Sequence, residues 1–94
     1  MAIKVVYDMS AAAGQGDAFS RALADLAAAV RPLPGCDGVD ILRKQDTAEQ
    51  FLFVESWQSN DAYSNAAQHL PKTAFDPIKA LLAGPPARSV YDLA

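Results

Sequence analysis

The segment FLFVESW at residues 51–57 limits the possible folds more than any other part of the chain. Its first four residues are all apolar and predict a β-strand in which Phe51 and Phe53 point to one side and Leu52 and Val54 to the other. A strand that is apolar on both sides is usually covered on both faces, whereas a strand with one solvated face alternates apolar and polar residues. We therefore expect helices to cover one face of the sheet and something else to cover the second face.

The first half of the chain predicts a strand, a helix and a second strand. Residues 3–9 are rich in β-branched and aromatic residues, as in a strand, and Tyr7 shares one side of this strand with two aliphatic residues. A helix is predicted from an N-cap at Asp17 to about Arg31, where two prolines stop it. The second strand is predicted over residues 38–44. The apolar positions of the helix recur at helical spacing and are Phe19, Ala22, Leu23, Leu26, Ala27 and Val30.

The second half of the chain predicts a third strand, two helices and a last strand. Ser59 or Asn60 is expected to cap a helix that ends near His69, before a proline. A short third helix is expected from about Phe75, with an Asp-Pro pair in its first turn. The C-terminal sequence ARSVYDLA predicts the fourth strand.

The element order β-α-β-β-α-(α)-β predicts an α+β, ferredoxin-like fold in a single domain over residues 1–94. In this fold, a four-stranded antiparallel sheet carries its helices on one face. The open face, together with the strand that is apolar on both sides, predicts a homodimer packed sheet to sheet. A chain of 94 residues buries a limited share of its surface alone, so this association would stabilise it.

Composition excludes several classes of function. The net charge is −3 and the basic residues are scattered, so the chain lacks the basic surface that binding of nucleic acid requires, which also argues against an RNA-binding ferredoxin-like module. No apolar run is long enough to cross a membrane, and the opening residues lack the apolar segment of a signal peptide, so we expect a cytoplasmic protein. Cys36 is the only cysteine and is expected to be a small, half-buried residue, which excludes an internal disulfide. A single cysteine and a single histidine also predict no metal site.

The sequence resembles the antibiotic biosynthesis monooxygenase family. The motifs that carry this resemblance are PGCDGVDILRK, then FLFVESW, then SNDAY, with a histidine about twelve residues after the tryptophan. The resemblance covers nearly the whole chain and implies a ferredoxin-like fold that pairs through its sheets as a dimeric α/β barrel. It also implies one of several chemistries, since some members oxidise anthrone-type or quinol-type aromatics with O₂ and neither metal nor flavin, some degrade haem, and others have no known activity.

Residue by residue, the resemblance is greater to the oxidising members than to the haem-degrading ones. The oxidising type has a tryptophan and, six residues later, a tyrosine, which Trp57 and Tyr63 match. Its strand asparagine is replaced here by Phe53. The tryptophan of the haem-degrading type aligns with Ala66. The resemblance therefore implies a cofactor-independent monooxygenase acting with O₂ on a small phenolic, quinol or polyketide-type aromatic. A non-catalytic ligand-binding or stress-related domain, a haem-degrading member and an isomerase stay open as alternatives.

Three side chains are candidates for catalysis. Histidine exchanges protons most readily near neutral pH, so His69, the only one, is a candidate to remove a phenolic proton; the alternative is an exposed residue at a helix end. Tyr63 can exchange a hydrogen bond with a substrate oxygen or simply pack by its ring. Trp57 can only donate, and we expect it to form a pocket wall or to bond a carbonyl oxygen.

Four further residues are predicted to line the substrate pocket. They are Tyr7, Phe53, Glu55 and Phe75. A carboxylate among apolar residues is unusual, and a partner at a dimer interface or a cap is the other interpretation of Glu55. Arg88 and the Arg43-Lys44 pair are interpreted as surface charges.

Overall fold

The computed structural model describes residues 1–94 and contains one antiparallel sheet with helices on one face. The sheet has the strand order β2-β3-β1-β4, so the two central strands are β3 and β1. The predicted element order and the four-stranded antiparallel sheet are confirmed. The elements are β1 (Ile3–Ser10), α1 (Gly16–Val30), β2 (Cys36–Arg43), β3 (Gln50–Trp57), α2 (Asn60–Ala66), a 3₁₀ turn (Ala67–His69), α3 (Asp76–Leu81) and β4 (Ala87–Asp92).

Strand β3 turns alternate side chains to opposite faces of the sheet. Phe51, Phe53, Glu55 and Trp57 are buried, while the residues between them are half-buried. Because β1 pairs antiparallel with β3, Tyr7 lies opposite Phe53 and belongs to the same face. The two-residue period of a strand thus places most of the predicted pocket residues under the helices.

Helix α1 covers the buried face of the sheet. Its apolar positions enter a single cluster of buried residues, in which Phe19 and Leu23 have no exposed surface. The ring centroids of Phe19 and Phe51 are 5.3 Å apart, within the range for favourable aromatic pairs. Ala22 is the exception to the predicted face, since it is only half-buried.

The predicted cap of α1 is wrong. The helix begins at Gly16, its N-cap is Gln15, and no side chain caps it. Asp17 instead lies in the first turn and pairs with Arg43, whose Nη1 is 3.0 Å from the carboxylate. The guanidinium of Arg43 also lies 5.2 Å from the ring centroid of Phe51, so this arginine ties the helix start to the sheet. The cap of α2 was predicted correctly: the hydroxyl of Ser59 accepts a hydrogen bond from the backbone N–H of Ala62.

The second face of the sheet has no covering layer in the single chain. Leu42 is 51% exposed and Tyr91 58% exposed, and half-buried aliphatic residues lie between them on β1 and β3. The sheet-to-sheet homodimer stays a prediction. None of the helices combines the length and the apolarity needed to cross a bilayer.

Candidate functional site

A cavity of about 370 Å³ lies between the sheet and the segment from α2 to α3. Tyr7, Glu55 and Trp57 contribute to it from the sheet, Tyr63 from α2, and Phe75 from the residue before α3. A smaller cavity of about 160 Å³ shares three of these residues and lies nearer to α3. Nine of the thirteen residues that line the larger cavity are hydrophobic, so it suits a ligand with an apolar ring and few polar groups.

The structure brings together five of the seven predicted site residues in this larger cavity. Phe53 is not among them: it precedes Glu55 by two residues on the same face of β3 and lines the smaller cavity. The rings of Tyr7 and Phe53 pack edge to face, with their centroids 6.3 Å apart, so the two cavities share an aromatic wall. The residue that replaces the expected asparagine is therefore part of the buried core rather than of the main pocket.

His69 is not brought to either cavity. It is exposed in the 3₁₀ turn and borders a separate depression that it shares with Gln58 and Asn65. Helix α2 is only seven residues long, and six helical positions separate His69 from Tyr63, which turns the two side chains to different sides. The geometry therefore gives His69 no access to a ligand next to Trp57.

Glu55 is the buried ionisable group of the site. It is 4% exposed, and the indole Nε1–H of Trp57 donates to its Oε1 at 2.9 Å. The other oxygen, Oε2, has no hydrogen-bond partner in the protein, yet no fully buried polar atom lacks a partner, so Oε2 is open to the cavities that Glu55 lines. Glu55 thus lies on the sheet face that the helices cover, and it bonds a residue of its own strand face rather than the end of a helix.

The environment of Glu55 disfavours its charged form. Burial raises the pKa of the Glu55 carboxyl above its ordinary value, and the hydrogen bond from Trp57 and the positive charge of Arg88 offset part of that rise. The group therefore holds its proton to higher pH than an exposed glutamate and is a stronger base once ionised.

This raised pKa predicts how stability depends on pH. Below the ordinary glutamate pKa, Glu55 is neutral in both the folded and the unfolded state, and its contribution to the free energy of unfolding is fully present. This contribution is lost as the pH rises through the raised pKa, because the folded state must then bury a charge. We expect Glu55→Gln, which stays neutral, to gain stability relative to wild type as the pH rises above the ordinary glutamate pKa and through the raised one, as measured by urea unfolding. A constant difference between the two proteins would contradict the raised pKa.

Two tyrosines form a second polar group in the cavity. The hydroxyl oxygens of Tyr7 and Tyr63 are 2.7 Å apart, and the rings of Tyr63 and Trp57 lie 5.8 Å apart. Burial, followed by the hydrogen bond with Tyr63, raises the pKa of Tyr7 far above its ordinary value, so its hydroxyl stays protonated.

Arg88 contacts the tyrosine pair, although its sequence context predicted only a surface charge. Its guanidinium lies 5.7 Å from the ring centroid of Tyr63, and Nη1 donates to the Tyr63 hydroxyl at 3.4 Å. The cause is the pairing of β4 with β1, which sets Arg88 opposite Tyr7. Nothing in the local sequence of β4 indicates which strand will be its neighbour, so this contact had no sequence signal.

No group of three or more histidine, cysteine, aspartate or glutamate side chains converges in the structure. Cys36 is half-buried, as predicted, and its thiol lies 3.6 Å from the carbonyl oxygen of Gly38.

Comparisons with known proteins identify the family of the chain and relatives of its fold. A family model described as antibiotic biosynthesis monooxygenase matches residues 2–75. No curated protein matched the chain.

Solved structures share the fold at low sequence identity. A conserved protein from Methanosarcina mazei Go1 is similar with a TM-score of 0.87 at 17% identity, over 100% of this chain and 94% of the other. SnoaB, a cofactor-independent oxygenase from Streptomyces nogalater, gives a TM-score of 0.85 at 19% identity, over 98% of this chain and 92% of the other. A protein from Nitrosomonas europaea gives a TM-score of 0.83 at 21% identity, over 99% of this chain and 98% of the other.

Proposed function

Because the chain belongs to the antibiotic biosynthesis monooxygenase family, we propose that it uses O₂ to oxidise a small phenolic or quinol-type aromatic without a cofactor. The observation that carries this proposal is the buried carboxyl of Glu55, whose Oε2 is open to an apolar cavity walled by Trp57 and Tyr63. A relative of the same fold, SnoaB, is a cofactor-independent oxygenase, and this likeness supports the same chemistry here.

In the proposed reaction, ionised Glu55 accepts the proton of the substrate hydroxyl. The cavity has mostly apolar walls, so the hydroxyl loses its water and Oε2 is the acceptor that remains for it. Removal of the proton makes the aromatic ring electron-rich, which favours transfer of an electron to O₂. Trp57 holds the carboxyl in place through its indole N–H.

The reaction balances without an external reductant. One atom of O₂ forms a new carbon–oxygen bond on the ring and the other leaves as water, whose hydrogens come from the substrate hydroxyl and the oxidised carbon. A naphthol thus gives a naphthoquinone and water, and the substrate supplies all the electrons that reduce O₂.

Oxygen consumption tests the proposal. Purified protein is offered hydroxynaphthalenes, anthrones and quinols in an oxygen electrode, with heat-denatured protein as the control. We expect uptake of one O₂ for each quinone formed. Aromatic ligands that raise the melting temperature without consuming O₂ would instead indicate the ligand-binding alternative.

We also propose that the chain forms a homodimer through the open sheet face. Val6 pairs with Val54 across β1 and β3, and Leu42 pairs with Leu52 across β2 and β3, so these four residues form an aliphatic patch on this face, with Asp8 and Asp40 at its edges. Burying these residues against a second copy would remove apolar surface from water.

Light scattering at micromolar concentration tests the dimer. Wild type is expected to have twice the chain mass of 10.0 kDa. Leu42→Asp, at a residue already half exposed in the single chain, is expected to be monomeric, because an aspartate would be buried unpaired at the interface. Ala24→Asp, on the exposed side of α1, is the matched control and should stay dimeric. A monodisperse wild-type monomer would rule the dimer out.

A further inference from the structure

We propose that Arg88 fixes the direction of the hydrogen bond between Tyr63 and Tyr7, and so makes Tyr7 the hydrogen-bond donor to a carbonyl oxygen of the bound ligand. The proposal rests on the cavity as the ligand site of the proposed function, but not on turnover. It assigns a positioning role to Arg88, whose side chain does not line either cavity.

The donor and acceptor capacities of the three side chains determine the direction of the hydrogen bonds between them. A guanidinium has no acceptor, so in its 3.4 Å contact Arg88 donates and Tyr63 accepts. Accepting a charge-assisted hydrogen bond polarises the O–H of Tyr63 and makes it a better donor. The neighbouring oxygen at 2.7 Å is that of Tyr7, which therefore accepts.

Tyr7 is left with a proton that no protein group accepts. Its only hydrogen bond in the structure is the one with Tyr63, and its side chain lines both cavities. Burial raises the pKa of Tyr7, so the hydroxyl keeps this proton and can donate it to a ligand. The order of donation is then Arg88, Tyr63, Tyr7 and the ligand oxygen.

This order narrows the class of ligand. Glu55 Oε2, on the same sheet face, accepts from a ligand hydroxyl when ionised, while Tyr7 donates to a ligand acceptor. The two groups together match an aromatic that carries a hydroxyl and a carbonyl, rather than a hydrocarbon or a simple phenol. Leaving the proton of Tyr7 without an acceptor in a buried complex would weaken binding.

Binding of a matched pair of probes tests the inference. 1-Tetralone and tetralin have the same bicyclic skeleton, and only the ketone has an acceptor oxygen. Trp57 is the only tryptophan and lines the cavity, so its fluorescence reports binding directly. We expect Arg88→Met and Tyr7→Phe each to weaken binding of 1-tetralone by about five-fold, corresponding to one hydrogen bond, and to leave tetralin within about two-fold.

A double variant separates a positioning role from a general structural one. In Arg88→Met/Tyr7→Phe, removal of the guanidinium should add no further loss, because its effect passes through Tyr7. Arg88→Lys, which keeps a donor, should restore part of the ketone affinity. Arg21→Met removes the same charge from the exposed side of α1 and is expected to bind like wild type.

The inference is overturned if Arg88→Met weakens both probes equally, weakens neither, or still weakens 1-tetralone in the Tyr7→Phe background. It is also overturned if wild type fails to prefer the ketone. Its failure is distinguishable from that of the proposed function: a protein that binds as described but consumes no O₂ loses only the oxygenase proposal, and one that consumes O₂ while Arg88→Met binds normally loses only this inference.

Discussion

Replacing Glu55 by glutamine is expected to slow oxygen consumption by about 100-fold or more, the usual contribution of a general base. Glutamine has the same shape, and its Oε1 can still accept from the indole N–H of Trp57, so the cavity wall should be preserved. What the amide cannot do is accept the substrate proton. The loss should therefore appear in kcat, with a small change in the affinity for the aromatic.

Two controls show whether Glu55 itself is the base. Glu49 is half-buried and lines none of the described cavities, so Glu49→Gln should retain the wild-type rate. His69→Ala should also retain it within about two-fold, because the imidazole lies outside the cavity. A large loss of rate in His69→Ala together with a small loss of rate in Glu55→Gln would contradict this assignment and would indicate that the histidine is the base.

The rate of oxygen consumption should also rise with pH. Since only ionised Glu55 can accept a proton, wild-type turnover is expected to rise with pH through the raised pKa of this carboxyl. The Glu55→Gln variant should lose this rise. A pH profile that is the same in both proteins would assign the titration to the substrate hydroxyl instead.

Replacing Phe19 by alanine is expected to lower the free energy of unfolding by about 3–5 kcal/mol. Phe19 has no exposed surface and packs against Phe51, so truncation leaves a cavity between α1 and the sheet that neighbouring residues can only partly fill. For a small domain this is a large share of its total stability. Urea unfolding measures this loss, and the slope of the free energy of unfolding against urea concentration should be unchanged.

Phe75→Ala is the matched control, since it deletes the same ring from the rim of the cavities. Phe75 is 37% exposed and precedes α3, so we expect a loss of only about 1 kcal/mol or less in stability. Its ring lines both cavities, so the affinity for aromatic ligands should fall. Equal losses of stability in the two variants would contradict the separation of core from ligand site.

The elements that could be predicted from the sequence are those with a local cause. Apolar spacing predicted the buried face of α1 from Phe19 to Val30, and the serine cap predicted the start of α2 at Ser59. Asp17 was predicted as a cap on the same grounds and is not one, because the helix begins at Gly16 and Asp17 lies inside its first turn, where it pairs with Arg43 of β2.

For the candidate site, the sequence by itself determined that Trp57 and Glu55 share one face of β3 and that helices cover that face, because alternate residues of a strand point the same way. Only the tertiary structure decided that Arg88 meets Tyr63 and that His69 turns away. Those outcomes depend on which strand lies beside β1 and on where a short helix ends, and both are set by contacts between residues far apart in the chain.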